Sequence, residues 1–267
     1  MMETDSFTLE ICRGLCGGRC PNVLPWDEEF EKKLKETILK SRWPEFLGAR
    51  IKGPIKAHQR FKVSVAGCPN GCSRPQIVDF GLIRAVKPEF VKELCTGCGA
   101  CVQVCEEEAI ILAESGIERV HPPVAGNHQF QPYSRDRRKR LSPPRKYFSY
   151  KSIPADNDYP ATGGCTRIEL KSSQCLCCGA CERICPSQAI LTSEDGFRVM
   201  VGGKLGRHPR LATELPGIFS EKEVLHILGK ALTLYMEHYS RVKRFGDLFD
   251  FLPTPELTST LTPKKCG

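Results

Sequence analysis

The 267-residue sequence has no apolar run that approaches the roughly 20 residues of a membrane-spanning helix. Its first residues, MMETDSFTLEICRGLC, also lack the basic start and apolar stretch of a secretory signal. We therefore expect no membrane span and a cytoplasmic protein, whose thiols stay reduced until they bind a metal.

Several catalytic signatures are missing too. The sequence has no Walker motif, no dinucleotide-binding glycine motif and no Ser-His-Asp pattern. Its six histidines include no pair spaced four residues apart, as a helical zinc site would need. These absences exclude the common nucleotide-dependent and hydrolytic classes, and they leave cysteine as the residue type that carries the chemistry.

The net charge of +8 is most concentrated in RDRRKRLSPPRK, residues 135–146. No aromatic stacking pattern accompanies this run, so we expect no nucleic-acid binding. Flanking prolines favour a solvated loop, which could also attract an acidic redox partner protein.

Sixteen cysteines are present, and their clustering favours metal ligands over scattered disulfides. Two segments share the spacing C-x2-C-x2-C-x3-C and form an internal repeat: CTGCGACVQVC and CLCCGACERIC. The first contributes Cys95, Cys98, Cys101 and Cys105, and the second Cys175, Cys178, Cys181 and Cys185. Zinc prefers two separated C-x2-C knuckles around one ion, so this spacing favours iron-sulfur clusters.

The repeat resembles the bacterial two-cluster ferredoxins, in which the fourth cysteine of each motif binds the other cluster. The resemblance implies one [4Fe-4S] cluster on Cys95, Cys98, Cys101 and Cys185. It implies a second [4Fe-4S] cluster on Cys105, Cys175, Cys178 and Cys181. Cys105 departs from the pattern because Glu106 follows it instead of proline, and Cys165, Cys177 and Cys266 receive no role.

A second cysteine pair lies in AGCPNGCSRP, where Cys68 and Cys72 follow the alternating run Phe61–Ala66 that predicts a strand. Near the start of the chain, ICRGLCGGRCPN carries Cys12, Cys16 and Cys20. Together with VGGKLGRHPRL and KRFGDLFDF, these segments resemble the sulfite and nitrite reductase family.

That resemblance implies a third [4Fe-4S] cluster and sirohaem, with Cys72 both a cluster ligand and the axial ligand of the sirohaem iron. Cys68 and Cys20 match further ligand positions, and Cys12 is the first choice for the remaining ligand, with Cys16 as the alternative. The family spacing in the first loop is C-x5-C, whereas this chain has C-x3-C-x3-C.

Sirohaem carboxylates and an anionic substrate both need convergent cations. The matching loops offer Arg74, Lys204, Arg207, His208 and Arg210 for cofactor binding, with Arg74, Lys204 and Arg207 as the catalytic candidates. The alternative is a solvated basic loop. Because full reductases contain two half-domains, we expect a second subunit or a homodimer to complete the sirohaem pocket.

The expected fold class is α+β. The resemblance implies a reductase C-terminal half-domain formed by residues 1–88 and 196–253, with an inserted two-cluster ferredoxin-like domain at 89–121 and 163–195. Residues 122–162 are expected to form a basic insertion and 254–267 a tail. Amphipathic patterns predict helices over Trp26–Arg42 and Glu221–Tyr239, the latter opened by a capping box of Ser220 and Glu223.

Three functions fit these patterns. The first is a sulfite or nitrite reductase, or a subunit of one, that acts on a small anion and passes electrons from ferredoxin-type clusters to a sirohaem-linked centre. The second is a non-catalytic electron-transfer protein without sirohaem. The third is a tetrapyrrole carrier.

Overall fold

A five-stranded mixed sheet organises the residues that this computed structural model describes, which are 6–17, 20–113, 167–240, 243–251 and 254–262. The sheet order is β1 (Phe7–Ile11), β2 (Phe61–Ala66), β3 (Phe80–Phe90), β6 (Ile190–Val201) and β7 (Thr213–Glu214). β1, β2 and β3 run parallel, whereas β6 and β7 pair antiparallel. The expected α+β class is thereby confirmed. The basic insertion, Cys165 and Cys266 lie outside the described residues.

One face of this sheet carries the main core. Strand residues such as Phe61, Leu82 and Phe197 are almost fully buried against helices α2 (Glu29–Lys40), α3 (Trp43–Arg50) and α6 (Glu221–Glu237). Each such side chain stabilises the fold by about 1.5–3 kcal/mol through removal of apolar surface from water. Segments before and after the cysteine repeat therefore share a single core.

The two long helices confirm the amphipathic patterns, although each is shorter than its predicted range. α2 buries Phe30, Leu34 and Ile38, the residues that recur every fourth position. At the start of α6, the Ser220 side chain accepts a hydrogen bond from the Glu223 amide and the Glu223 carboxylate accepts one from the Ser220 amide. The predicted capping box is therefore present.

The connection from β2 to β3 crosses the opposite face of the sheet. Parallel neighbours need a crossover of about a dozen residues, usually a helix, and here the cysteine loop and a short 3-10 helix at Pro75–Ile77 provide it. The Ser64 hydroxyl donates to the Ser73 carbonyl at 2.6 Å, and the Ser73 hydroxyl donates to the Val65 carbonyl at 2.8 Å. The segment that carries Cys72 is thus fixed to β2.

A smaller lobe is formed by the chain between the end of β3 and the start of β6. It contains a second antiparallel sheet of β4 (Ile110–Ala113) and β5 (Arg167–Leu170). Two one-turn helices, α4 (Ala100–Val104) and α5 (Ala180–Ile184), each follow a glycine with positive φ, Gly99 at 71° and Gly179 at 69°. The two halves of the cysteine repeat therefore have matching local structure.

Short elements complete the described chain: α1 (Arg13–Gly17), α7 (Leu248–Phe251) and α8 (Thr254–Leu261). Arg244 donates to the buried carboxylate of Asp79 at 2.8 Å, which ties the segment before α7 to the start of β3. No helix within the described ranges is long and apolar enough to cross a membrane.

Candidate functional site

The C-x3-C loop places its two cysteines in different environments. Cys68 is buried directly beyond the carboxyl end of β2, whereas Cys72 is exposed. Gly71 makes the turn between them with φ of 58°, a value that glycine adopts without steric cost. The Gly71 amide donates to the Cys68 carbonyl at 3.2 Å, and the Arg74 amide donates to the Gly71 carbonyl at 2.7 Å. Cys72 therefore points away from the core on a well-defined turn.

Strand β1 brings the N-terminal cysteines to the same place. The Cys12 amide donates to the Val65 carbonyl at 2.9 Å, and the Cys12 sulfur accepts a hydrogen bond from the Gly67 amide at 3.3 Å. Cys20 lies beside α1, because an added Cβ at Gly14 of this helix would lie 2.8 Å from the Cys20 Cβ. Cys12 and Cys20 thus flank the loop that carries Cys68.

The charges that shift the pKa of Cys68 show which thiols lie near it. Burial raises the pKa of the Cys68 thiol, a hydrogen bond from the Asn70 amide opposes this, and the charges of Cys20, Cys72 and Cys12 raise it further. We refer to Cys12, Cys20, Cys68 and Cys72 as the loop set. Because negative charge on its neighbours disfavours the Cys68 thiolate, cationic iron would stabilise that thiolate, so these residues fit a cluster.

Cys16 has different neighbours. It is exposed on α1, and its pKa is raised by desolvation, then by Glu31, Cys12 and Glu28. Glu31 lies in the first turn of α2, and Glu28 is the residue immediately before this helix. Cys16 therefore lies near the acidic start of α2, whereas Cys12, the first choice from the sequence, lies near Cys68.

The cysteines of the repeat line two separate cavities. One is lined by Cys95, Cys98, Cys101 and Cys185, which we call the distal set. The other is lined by Cys105, Cys175, Cys178 and Cys181, which we call the proximal set because Cys68 lines the same cavity. The structure thus brings together the same two groups of cysteines that the ferredoxin resemblance implies, each around one cavity, and cluster binding by them stays a prediction.

Backbone amides point at sulfur in both halves of the repeat. Ala109 donates to Cys105 at 3.4 Å, and Ala189 donates to Cys185 at 3.2 Å. Hydrogen bonds to cysteine sulfur are among the features that set the reduction potential of an iron-sulfur cluster. Burial followed by the charges of neighbouring thiols raises the pKa of Cys101 to about 11 and of Cys181 to about 12. Iron binding would relieve this crowding.

The five basic candidates fall into two groups. Lys204 is buried in an ion pair with Asp247 and lies 3.2 Å from Asp250. Arg210 stacks on Phe249 at 4.8 Å and its guanidinium lies 3.7 Å from the carboxylate of Asp250. These two cations therefore already have partners within the chain.

The other three candidates face outward. Arg207 and His208 lie exposed in the loop joining β6 to β7, and the exposed Arg74 has Glu10 at 3.7 Å. The Ala212 amide donates to the Gln76 carbonyl at 2.8 Å, which packs this loop against the segment following Cys72. Sequence reasoning missed Asp79, Asp247 and Asp250, whose charges neutralise the neighbouring cations.

No three His, Cys, Asp or Glu side chains in the described part of the chain converge closely enough to hold a single metal ion. The thiol sets and the α+β fold instead define the class of iron-sulfur redox proteins. The family model for the nitrite and sulphite reductase 4Fe-4S domain matches residues 5–262. The chain belongs to this family and is a sulfite reductase-like iron-sulfur protein.

Curated relatives match over short segments. The chain is 48% identical over 54 residues to the coenzyme F420-dependent sulfite reductase of Methanocaldococcus jannaschii, which covers 20% of this chain and 9% of that protein. It is 41% identical over 49 residues to one subunit of the anaerobic sulfite reductase of Salmonella typhimurium, covering 18% of this chain and 14% of the relative. The matches thus span only a small part of either relative.

A solved structure extends the likeness to the whole fold. Dissimilatory sulfite reductase I superposes with a TM-score of 0.50 at 15% identity, over 95% of this chain and 51% of that chain. At this identity the match shows a shared fold. The expectation of a reductase-type fold is confirmed, whereas the inserted ferredoxin domain and its boundaries stay predictions.

Proposed function

We propose that this chain is one half of a sulfite or nitrite reductase, in which electrons from two ferredoxin-type [4Fe-4S] clusters reach a third cluster linked to sirohaem. The observation that carries the proposal is the shared cavity in which Cys68 of the loop set faces the proximal set. The clusters would carry single electrons, and sirohaem would supply the centre at which the anion is reduced.

The residues of this chain would do the rest. The loop set would hold the third cluster, with Cys72 on its outer side, where a sirohaem iron could share the sulfur. The exposed cations Arg74 and Arg207 would bind sirohaem carboxylates or the substrate oxyanion. Lys204, already bound to Asp247, would fix the loop that carries Arg207.

A partner surface is part of this proposal. Cys72, Arg74 and Arg207 are all exposed, whereas stabilisation of an oxyanion is strongest in a site that excludes water. One relative is named as a subunit of anaerobic sulfite reductase, which supports a second subunit here, and a second copy of this chain is the other candidate. Either would cover the exposed side of the loop set.

A visible spectrum tests the proposal directly. The full chain would be purified without oxygen after expression with iron, sulfide and sirohaem supplied. We expect sharp Soret and red bands from sirohaem above the broad absorption of the clusters. Clusters without these bands would support the electron-transfer alternative and contradict a reductase role.

The Cys72→Ser variant tests the axial ligand, and Cys16→Ser is its matched control because both cysteines are exposed. We expect Cys72→Ser to remove the sirohaem bands and Cys16→Ser to retain them. An intact sirohaem spectrum in Cys72→Ser would show that another group ligates the iron.

A further inference from the structure

The two cavities of the cysteine repeat differ in their surroundings. The distal cavity is lined by residues of the smaller lobe and the beginning of β6 alone. The proximal cavity, about 190 Å³, is also lined by Asn22, Cys68, Pro69 and Asn70 from the loops of the large sheet. Electrons that move from the repeat to the loop set would therefore leave from the proximal set.

A cation lies at this junction. The Arg183 guanidinium donates to the Cys178 carbonyl at 3.3 Å and lines the proximal cavity. An added Cβ at Gly179 would lie 3.3 Å from Arg183 Nη1, 3.0 Å from Leu24 and 2.7 Å from Val86. Arg183 thus occupies the seam between the thiol loop of the proximal set and the large sheet.

The repeat itself supplies a comparison. Aligned on their cysteines, CVQVC and CERIC place Gln103 of the first half opposite Arg183 of the second. Glu106 and Glu107 also line the proximal cavity and carry the opposite charge. Arg183 differs from both in its hydrogen bond to the backbone of a proximal cysteine.

We infer that Arg183 raises the reduction potential of the proximal cluster and so favours electron transfer from the distal cluster to the proximal cluster, beside Cys68. A nearby positive charge stabilises the cluster state that has gained an electron. In the transfer, the reduced distal cluster loses one electron, the oxidised proximal cluster gains it, and no bond or proton changes. The inference rests on the proposed function, because it takes both thiol sets to hold clusters.

Redox titration of the anaerobically purified full chain, followed by electron paramagnetic resonance, tests this role. Arg183→Gln reproduces the residue found in the first half of the repeat. We expect it to lower the midpoint potential of one ferredoxin-type cluster by about 59 mV, the equivalent of about a tenfold change for one electron. The other ferredoxin-type cluster should keep its potential. Arg183→Lys keeps the charge, so the midpoint potential of this variant should stay close to that of the wild type.

The outcomes separate the two proposals. Iron and sulfide contents and resonance signals are recorded before titration, and missing ferredoxin-type clusters would overturn both the cluster assignment and this inference. Intact clusters whose potentials do not change in Arg183→Gln would overturn the inference alone. An equal shift of both potentials would also overturn it, because the charge would then not distinguish the clusters.

Discussion

Cys177 occupies the backbone position that Gly97 occupies in the first half of the repeat. Their φ angles are 56° and 72°, and each amide donates to the sulfur of the first cysteine in its motif, Cys175 or Cys95, at 3.4 Å. A residue with a Cβ is strained by about 1–2 kcal/mol in this left-handed conformation, whereas glycine is not. Cys177 therefore resembles a turn residue and not a cluster ligand.

This relationship predicts the effect of Cys177→Gly. We expect the variant to keep its full iron content and to gain about 1 kcal/mol in the free energy of unfolding, because the strain is removed. Iron analysis and chemical denaturation measure both effects.

Cys178→Gly is the matched control, because Cys178 is adjacent and belongs to the proximal set. It should lose iron. If Cys177→Gly lost as much iron as Cys178→Gly, Cys177 would have to be counted among the ligands.

The N-terminal loop allows a prediction about its three cysteines. We expect Cys12→Ser to lose the third cluster, because Cys12 is buried, receives the Gly67 amide and lies within electrostatic reach of Cys68. Cys16→Ser should retain that cluster, since Cys16 is exposed and faces Glu31. Iron content and resonance spectra compare the two variants directly. The reverse result would assign the ligand to Cys16.

Gly81 of β3 packs directly against the segment that follows Cys72. An added Cβ at Gly81 would overlap the Pro75 carbonyl, which belongs to the segment that follows Cys72. Gly81→Ala should therefore displace this segment and destabilise the protein by about 1–3 kcal/mol. It should also weaken the retention of sirohaem and of the third cluster more than that of the ferredoxin-type clusters.

Gly229→Ala provides the control for this substitution. No atom lies within 4 Å of an added Cβ at Gly229, which is part of α6. Alanine there should stabilise the helix by about 1 kcal/mol. Loss of cofactor in both variants would mean that the effect of Gly81→Ala is not specific to the Cys72 segment.

The sequence predicts local features better than long-range contacts. The resemblance of the repeat to two-cluster ferredoxins implies its two crossed thiol sets, and the pattern around Ser220 predicts a capping box that is present. Strand β1 was missed, although Phe7, Leu9 and Ile11 alternate, because a short edge strand is recognised only once its partner is known. The burial of Lys204 was also missed, because its partner Asp247 is distant in the sequence.

The buried ion pair of Lys204 and Asp247 leads to a prediction for stability. Asp247→Asn should lower the free energy of unfolding by about 2 kcal/mol at pH 7, because it removes a charged hydrogen bond from a buried ammonium group. Lys35→Met breaks an exposed pair with Glu31 and should cost less than about 0.5 kcal/mol. Chemical denaturation followed by circular dichroism compares them.

The pH dependence of the difference between wild type and Asp247→Asn has a definite sign. Burial alone would raise the pKa of Asp247, but hydrogen bonds from Lys204 and the Arg244 amide outweigh it and hold the pKa below its usual range. The contribution of Asp247 is therefore fully present above the unfolded pKa of about 3.9 and is lost as the pH falls through the folded value. Burial alone would lower the pKa of Lys204, but hydrogen bonds to Asp247 and Asp250 raise it, so its contribution is lost only at strongly alkaline pH. The stability difference should be constant between pH 6 and 8 and should shrink in acid; a difference that grows in acid would contradict the assigned pairing.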